Sequence, residues 1–388
     1  MNRHWAVKLG DVSSSVMGQA PPGASCNSEG RGTIFVKAGE FSDREPLTRE
    51  WTTKPLKMAR KGDVLVCVVG ATAGKINLAI DCAIGRSVAA IRPEPAKLDT
   101  SYLHHFLATQ VLSLRARSQG LAQGVITKDM IAELEISLPP LDEQRRIAAI
   151  LDKADALRQK RKRAIALLDS LTQSIFLEMF GDGIHGPRKF PLSRLQDLCA
   201  ESDDIRCGPF GTQLNRNEFT EDGIPLWGIK QVNAGFKIPT VEYVSNNKAR
   251  QLSNYDLRPG DLVMTRKGTI GNCAVYPNDF PAGIMHSDLL RIRLNPVICD
   301  PLFLTCQLHL SRDVEQQIKL ISGGAIMAGI NVGKLKQLRV ILPDISLQQE
   351  FARVVFTIEG IRSSFVMGLK ELNDNFASLQ HRAFSGQL

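Results

Sequence analysis

Leu138–Pro139–Pro140–Leu141–Asp142–Glu143–Gln144–Arg145–Arg146–Ile147 closes one kind of sequence and opens another. Upstream, residues 1 to about 140 mix short apolar runs with turns. Thr33–Ile34–Phe35–Val36 and Val64–Leu65–Val66–Cys67–Val68–Val69 predict strands. Tyr102 to Leu114 predicts a helix, and Ile136–Ser137–Leu138 a last strand that Pro139–Pro140 stops. Downstream, no Gly or Pro occurs between Asp142 and Phe180. Acidic residues open this segment, as the helix dipole favours. Ile147, Leu151, Ala154, Leu157, Ala164, Leu168, Leu171, Ile175 and Met179 follow near-heptad spacing, and Gly181–Asp182–Gly183 terminates the run. At 1.5 Å per residue such a helix spans about 55–60 Å.

The junction occurs a second time as Leu342–Pro343–Asp344–Ile345 followed by Gln348. Other signals repeat in the same order. Leu9–Gly10–Asp11 answers to Leu195–Gln196–Asp197, Gly62–Asp63–Val64 to Gly260–Asp261–Leu262, and Ile91–Arg92–Pro93 to Ile292–Arg293–Leu294. The offset grows from 186 to 204 residues along the chain, as a shared framework with unequal loops requires. In the second copy Leu347, Phe351, Val354, Ile358, Ile361, Phe365, Leu369, Leu372, Phe376 and Leu379 step by three and four, a coiled-coil seam. Each long helix needs a partner, and the simplest is the other. The expected fold is α+β: two similar mixed α/β domains, 1–140 and 183–343, separated by two long helices, 141–182 and 344–388. These form an antiparallel coiled coil with an internal pseudo-two-fold. That arrangement would put the domains at opposite ends of a rod, suited to gripping two sites at once.

Bulk composition sets bounds. The 388 residues carry a net charge of +8, which permits a polyanionic partner. Aromatic residues make up only 6%, which disfavours a base-stacking single-strand binder. Eight cysteines are scattered without a Cys-x-x-Cys and do not repeat between the halves, so free, mostly buried thiols are expected. No signal peptide follows Met1–Asn2–Arg3–His4–Trp5, and no run of about 18 apolar residues appears. No membrane association and a cytoplasmic location are expected.

Gly70–Ala71–Thr72–Ala73–Gly74–Lys75 resembles a phosphate loop but fails in detail. Three residues separate the glycines instead of four, and Ile76 follows the lysine. Gly268–Thr269–Ile270–Gly271 stands at the matching place without a lysine, so a structural turn is expected in both copies. Arg158–Gln159–Lys160–Arg161–Lys162–Arg163 is the densest basic run. It could be a solvated helix face, a phosphate contact along a duplex, or a surface for an acidic protein. The seven histidines show no metal-ligand spacing. Catalytic signatures for acyl transfer, dinucleotide binding, amino-group methylation and nuclease chemistry are absent. Pro343–Asp344 with Glu350 has Ala352 where a nuclease needs lysine.

With these residues in hand, the chain resembles the specificity subunit of a Type I restriction-modification system. Gly62–Asp63–Val64–Leu65, the Leu138–Ile147 junction, Arg258–Pro259–Gly260–Asp261–Leu262 and the closing Leu379–Leu388 carry the resemblance, which spans the whole chain. The second junction departs from the pattern: Asp344 replaces the second proline and Leu347 the glutamate. The resemblance implies two target-recognition domains, each reading one half of an interrupted sequence in double-stranded DNA. It also implies partners: two modification subunits that methylate adenine from S-adenosylmethionine, and restriction subunits that use ATP. This chain would be no enzyme and would hold no cofactor or metal.

Base edges are read by polar side chains on rigid scaffolds, while Lys and Arg hold phosphates. On that basis the candidate DNA contacts are Lys37, Lys75 and Arg86 in the first copy and Lys230, Gln231, Asn233, Arg266 and Lys267 in the second. Glu143 and Gln144 are the candidate docking surface for methylating partners, and Phe351 and Phe365 are expected to hold the helices together. The rival readings are a methylation-only or phase-variable relative of the same subunit, and a scaffold that bridges proteins instead of binding DNA.

Overall fold

The computed structural model describes residues 6–119, 124–182, 189–323 and 329–388. Gly183 and the Met1–Trp5 lead lie outside them. The chain divides into two compact units. The first is Met1–Arg163 with Phe365–Leu388, and the second is Ala164–Ser364.

Each unit is built on the same three sheets. In the first, a four-stranded antiparallel sheet runs in the order Ser13–Met17, Val88–Pro93, Val64–Cys67, Ile76–Leu78. In the second, the order Ile205–Cys207, Leu289–Ile292, Leu262–Thr265, Cys273–Val275 reproduces it. A five-stranded mixed sheet also recurs, with one parallel pair in each: Thr33–Val36 beside Cys82–Ile84, and Ile224–Trp227 beside Gly283–Met285. A two-stranded ribbon joins Ala6–Lys8 to Glu135–Ser137, and Leu192–Arg194 to Arg339–Ile341.

The apolar run at 64–68 is continuous because both of its faces are covered. Val64, Val66 and Val68 pack on the helical side with Tyr102, Phe106 and Leu107. Leu65 and Cys67 pack on the other side with Val36, Ala59 and Ile84 of the five-stranded sheet. Period-two alternation thus places each residue on one face or the other. The Gly-Asp preceding each central strand has a specific task. Gly62 and Gly260 take positive φ, +99° and +86°. Buried Asp63 then receives Arg92 through two hydrogen bonds of 2.8 and 2.7 Å, and Asp261 receives Arg293 through two of 2.8 Å. The helix expected from Tyr102 to Leu114 is two, Thr100–Thr109 and Val111–Gln119, broken at Gln110.

The long helices are Leu141–Phe180 and Ile345–Phe384, each of 40 residues. Gly181, at φ +81°, ends the central helix by donating its N–H to the Leu177 carbonyl. Within each unit the two helices run antiparallel. In the first unit Arg146 reaches the Leu388 carbonyl, Arg158 reaches Asn373, and Arg161 lies over the Phe365 ring. In the second, Arg362 reaches Asp169, while Phe176 and Phe180 pack on Phe351. Phe384 packs on Tyr102 with ring centres 5.1 Å apart, as Phe180 packs on Phe303 at 5.0 Å.

The packing corrects the seam. Leu157 and Leu171 are 55% and 43% exposed, and Val354 and Ile361 also face solvent. The basic run supplies part of the true interface instead. Arg158 stacks on Phe376 at 4.3 Å and Arg161 on Phe365 at 4.2 Å, whereas Lys160, Lys162 and Arg163 are exposed. A guanidinium is weakly hydrated and planar, so it can lie on an aromatic face where an ammonium would stay in water.

Candidate DNA interface

In both units the ends of the parallel strands and the adjacent hairpin turn form one rim. In the first unit Thr33–Val36 delivers Lys37, and Cys82–Ile84 delivers Gly85–Arg86–Ser87. Gly85 N donates to the Val36 carbonyl at 2.9 Å, Ala38 N to Ser87 Oγ at 3.1 Å, and Val68 N to the Ser87 carbonyl at 2.9 Å. The last bond ties in the turn from Val68 to Lys75. Gly70 and Gly74 adopt positive φ there, and a Cβ on Gly74 would meet Val111 Cγ1 at 2.8 Å. Gly271 is barred in the same way by Ile318 Cγ2 at 2.9 Å, so these are turns built by packing.

The candidate residues differ in availability. Arg86 and Lys75 are exposed and have no ion-pair partner among the described residues. Lys75 stands on the returning arm of the hairpin, its carbonyl accepting from Cys67 N. Lys37 pairs with Glu50, a contact that raises the lysine's pKa. Lys54 and Lys57 were missed. Both are exposed, and the Lys57 carbonyl accepts from Ile84 N next to Gly85–Arg86. The available signal was a stretch from Lys54 to Lys61 with four cations and no carboxylate.

In the second unit the helix Ile229–Asn233 and the segment His286–Ser287–Asp288 hold these places. Asn233 Oδ1 accepts from Thr269 Oγ1 at 2.8 Å and Asn272 Nδ2 at 2.7 Å, binding helix to turn. Lys230 is exposed and without an ion pair among the described residues. Lys267 pairs with Asp288 at 3.0 Å. Arg266 lies over the exposed Phe210 ring at 4.8 Å and donates Nε to the Ile330 carbonyl at 3.2 Å. Phe210 and His286 join this rim without having been singled out from the sequence, and Thr269, quoted only as part of the turn, joins it too. The offset of about 201 residues that aligns Gly85 with His286 would have pointed to His286.

Two of the candidate glutamines do internal work. Gln231 is buried, accepting from Gly228 N and donating to the Pro239 carbonyl, each at 3.2 Å. Glu40 makes the matching bond to Lys37 N in the first unit, so this is a framework position. Gln144 is 0% exposed. Its Oε1 accepts from Asp99 N at 2.9 Å, and its Nε2 donates to the Lys97 and Pro139 carbonyls, both at 2.8 Å. Gln348 repeats all three bonds with Asp300, Ile298 and Pro343. The amide that marks each junction therefore faces inward and offers nothing to a partner. Glu143 lies on the surface, where a two-pronged contact from Arg146 holds its carboxyl below the usual range.

Residues 2–167 and 193–365 each match the family described as the Type I restriction modification DNA specificity domain. This chain belongs to that family. Membership assigns the specificity chain a role in DNA-target specificity, in a family whose members are generally not catalysts. It is 23% identical over 373 residues to the Type I restriction enzyme MjaVIII specificity subunit of Methanocaldococcus jannaschii, covering 92% of this chain and 86% of that one. A putative MjaX specificity subunit from the same organism is 33% identical over 150 residues. That match covers 38% of this chain and 35% of the relative. The crystal structure of a Type I restriction-modification S subunit from M. genitalium superposes with a TM-score of 0.60. It is 16% identical, and the match covers 98% of this chain and 96% of that one. Among the described residues, no helix of the specificity chain is long and apolar enough to cross a membrane.

Proposed function

We propose that this chain reads an interrupted sequence in double-stranded DNA, each unit's rim taking one half. The observation that carries the reading is the rim built twice on one framework with different residues: Lys37, Arg86 and Lys57 on one, Lys230, Asn233 and Arg266 on the other. An identical scaffold with unlike side chains suits two unlike words. Free cations such as Arg86 and Lys230 hold phosphates, and the braced turn presents polar groups to base edges. The paired long helices set the gap between the words. Domains at 1–140 and 183–343 do the reading, and the surface around Glu143 docks two methyltransferase subunits. Restriction subunits join them, and the chemistry on DNA belongs to these partners.

The test is a gel shift with gapped duplexes, performed with the methyltransferase subunits present, comparing the wild-type chain with Arg266→Ala. A base-reading Arg266 loses about 1–3 kcal/mol concentrated at one position of one word. A uniform loss across all sequences makes it a phosphate contact. No shift by the wild-type complex on any duplex refutes the reading in favour of a protein-bridging scaffold.

A further inference from the structure

The long helices correspond residue for residue. Leu141–Phe180 and Ile345–Phe384 are offset by 204 at both ends, so Arg158 matches Arg362, Asp169 matches Asn373, and Arg161 matches Phe365. One contact is consequently made twice. Arg158 donates to Asn373 Oδ1 at 2.8 Å in the first unit, and Arg362 donates to Asp169 Oδ1 at 2.6 Å in the second. Arg161 and Phe365 differ from these, because they are counterparts that touch each other. The guanidinium lies 4.2 Å from the ring centre, with Gly368 leaving room beside it.

A position that meets its own counterpart distinguishes like pairing from unlike pairing. Suppose the central helix paired with the central helix of a second copy in the same register. The Arg158–Asp169 contact would survive on both sides, so it discriminates nothing. Arg161 would then face Arg161. Two C-terminal helices would instead oppose Phe365 to Phe365, which aromatic packing tolerates. We propose that Arg161, stacked on Phe365, decides which helix the central helix accepts: it admits the C-terminal helix and rejects the central helix of a second copy. Between two central helices Arg158 would keep Asp169 but meet Thr172 in place of Phe376, a lost attraction only, so active rejection of that pairing falls to a repulsive element such as Arg161 against Arg161.

Single substitutions in the full chain rebuild the forbidden and permitted contacts. Phe365→Arg recreates the contact between two central helices, and Phe365→Leu removes the ring without adding charge. Arg161→Phe with Phe365→Arg exchanges the two residues between equivalent positions. Urea unfolding at low salt should give Phe365→Arg a folding constant about threefold below Phe365→Leu, the scale of a half-exposed charge pair. Raising the salt from about 50 to about 500 mM should close that gap through screening. The exchanged double variant should return to within about twofold of the wild type, because the pair is restored in mirror order. Phe365→Arg as stable as Phe365→Leu at low salt overturns the proposal. So does a double variant no more stable than Phe365→Arg, and this comparison still decides the matter if Phe365→Arg alone fails to fold.

Discussion

Replacing Gln144 by leucine removes one side chain that holds three segments together. The amide sits at 0% exposure between the Thr100–Thr109 helix, the loop before it and the Pro139 junction. Leucine fills most of the volume but leaves the Asp99 N–H and the Lys97 and Pro139 carbonyls without this partner. An orphaned buried polar group costs about 1–3 kcal/mol. The three losses share one site and do not add in full, so about 3 kcal/mol is expected for the first unit. Asp99 also caps that helix through Ser101 N and Tyr102 N, so its first turn should loosen with it. Urea unfolding gives the magnitude, and hydrogen exchange over Thr100–Thr109 gives the location. Gln348→Leu should reproduce the effect over Pro301–Leu310, whose cap Asp300 is held identically. Gln144→Glu adds a sign. A buried carboxyl facing two carbonyls has its folded pKa raised above the unfolded value near 4.3. Its deficit should be small below that pH and grow as pH rises. An unchanged urea midpoint with unchanged exchange over Thr100–Thr109 would refute the argument that these junctions are internal brackets.

Asp63→Asn and Asp261→Asn each replace a buried carboxylate by a neutral amide facing a partly exposed arginine, and each should cost about 1–3 kcal/mol in its own unit, less at Asp261 because Arg293 keeps Asp256; no loss in either variant would mean these pairs do not brace the sheets. Phe351 is fully buried among Phe176, Phe180 and Phe303, so alanine there should cost about 3–5 kcal/mol. Half-buried Phe365 loses mainly its contact with Arg161, so alanine there should cost only about 1–2 kcal/mol, and equal losses in thermal melts would contradict the seam. Burial lowers the His104 pKa to about 4, assisted by His105 and Arg44 beside it. The fold therefore prefers the neutral ring, and stability that is full above about pH 6.5 should fall as pH drops from there towards 4. A His104→Gln chain should lack that slope, and an identical pH profile in both chains would rule the ring out.

Much of the helical framework was legible in the sequence. Pro139–Pro140 and Gly181 mark the ends of the central helix because each acts locally, one by removing a donor and one by permitting positive φ. The strand at 64–67 was legible because a run buried on both faces is apolar throughout, and the strand at 33–36 because β-branched and aromatic residues dominate it. The two-residue strands that complete the five-stranded sheets were not, because two residues carry no period. The middle of the seam was misread because heptad counting rewards leucine, whereas the interface there uses Arg158 and Arg161 against phenylalanines supplied more than 200 residues later. Among the rim candidates, Arg86 and Lys230 lie in the open while Gln231 points inward, as does Gln144, the candidate for partner docking. A polar residue type alone cannot distinguish a surface from a bracket, since the bonds of Gln144 reach across 45 and 47 positions.

The most direct test of two readers in one chain is selection from a randomised duplex library by the complex of this chain with its methyltransferase subunits. Two short words at a constant gap, with different bases in each, is the predicted outcome. One uninterrupted word, or enrichment without sequence preference, would contradict it.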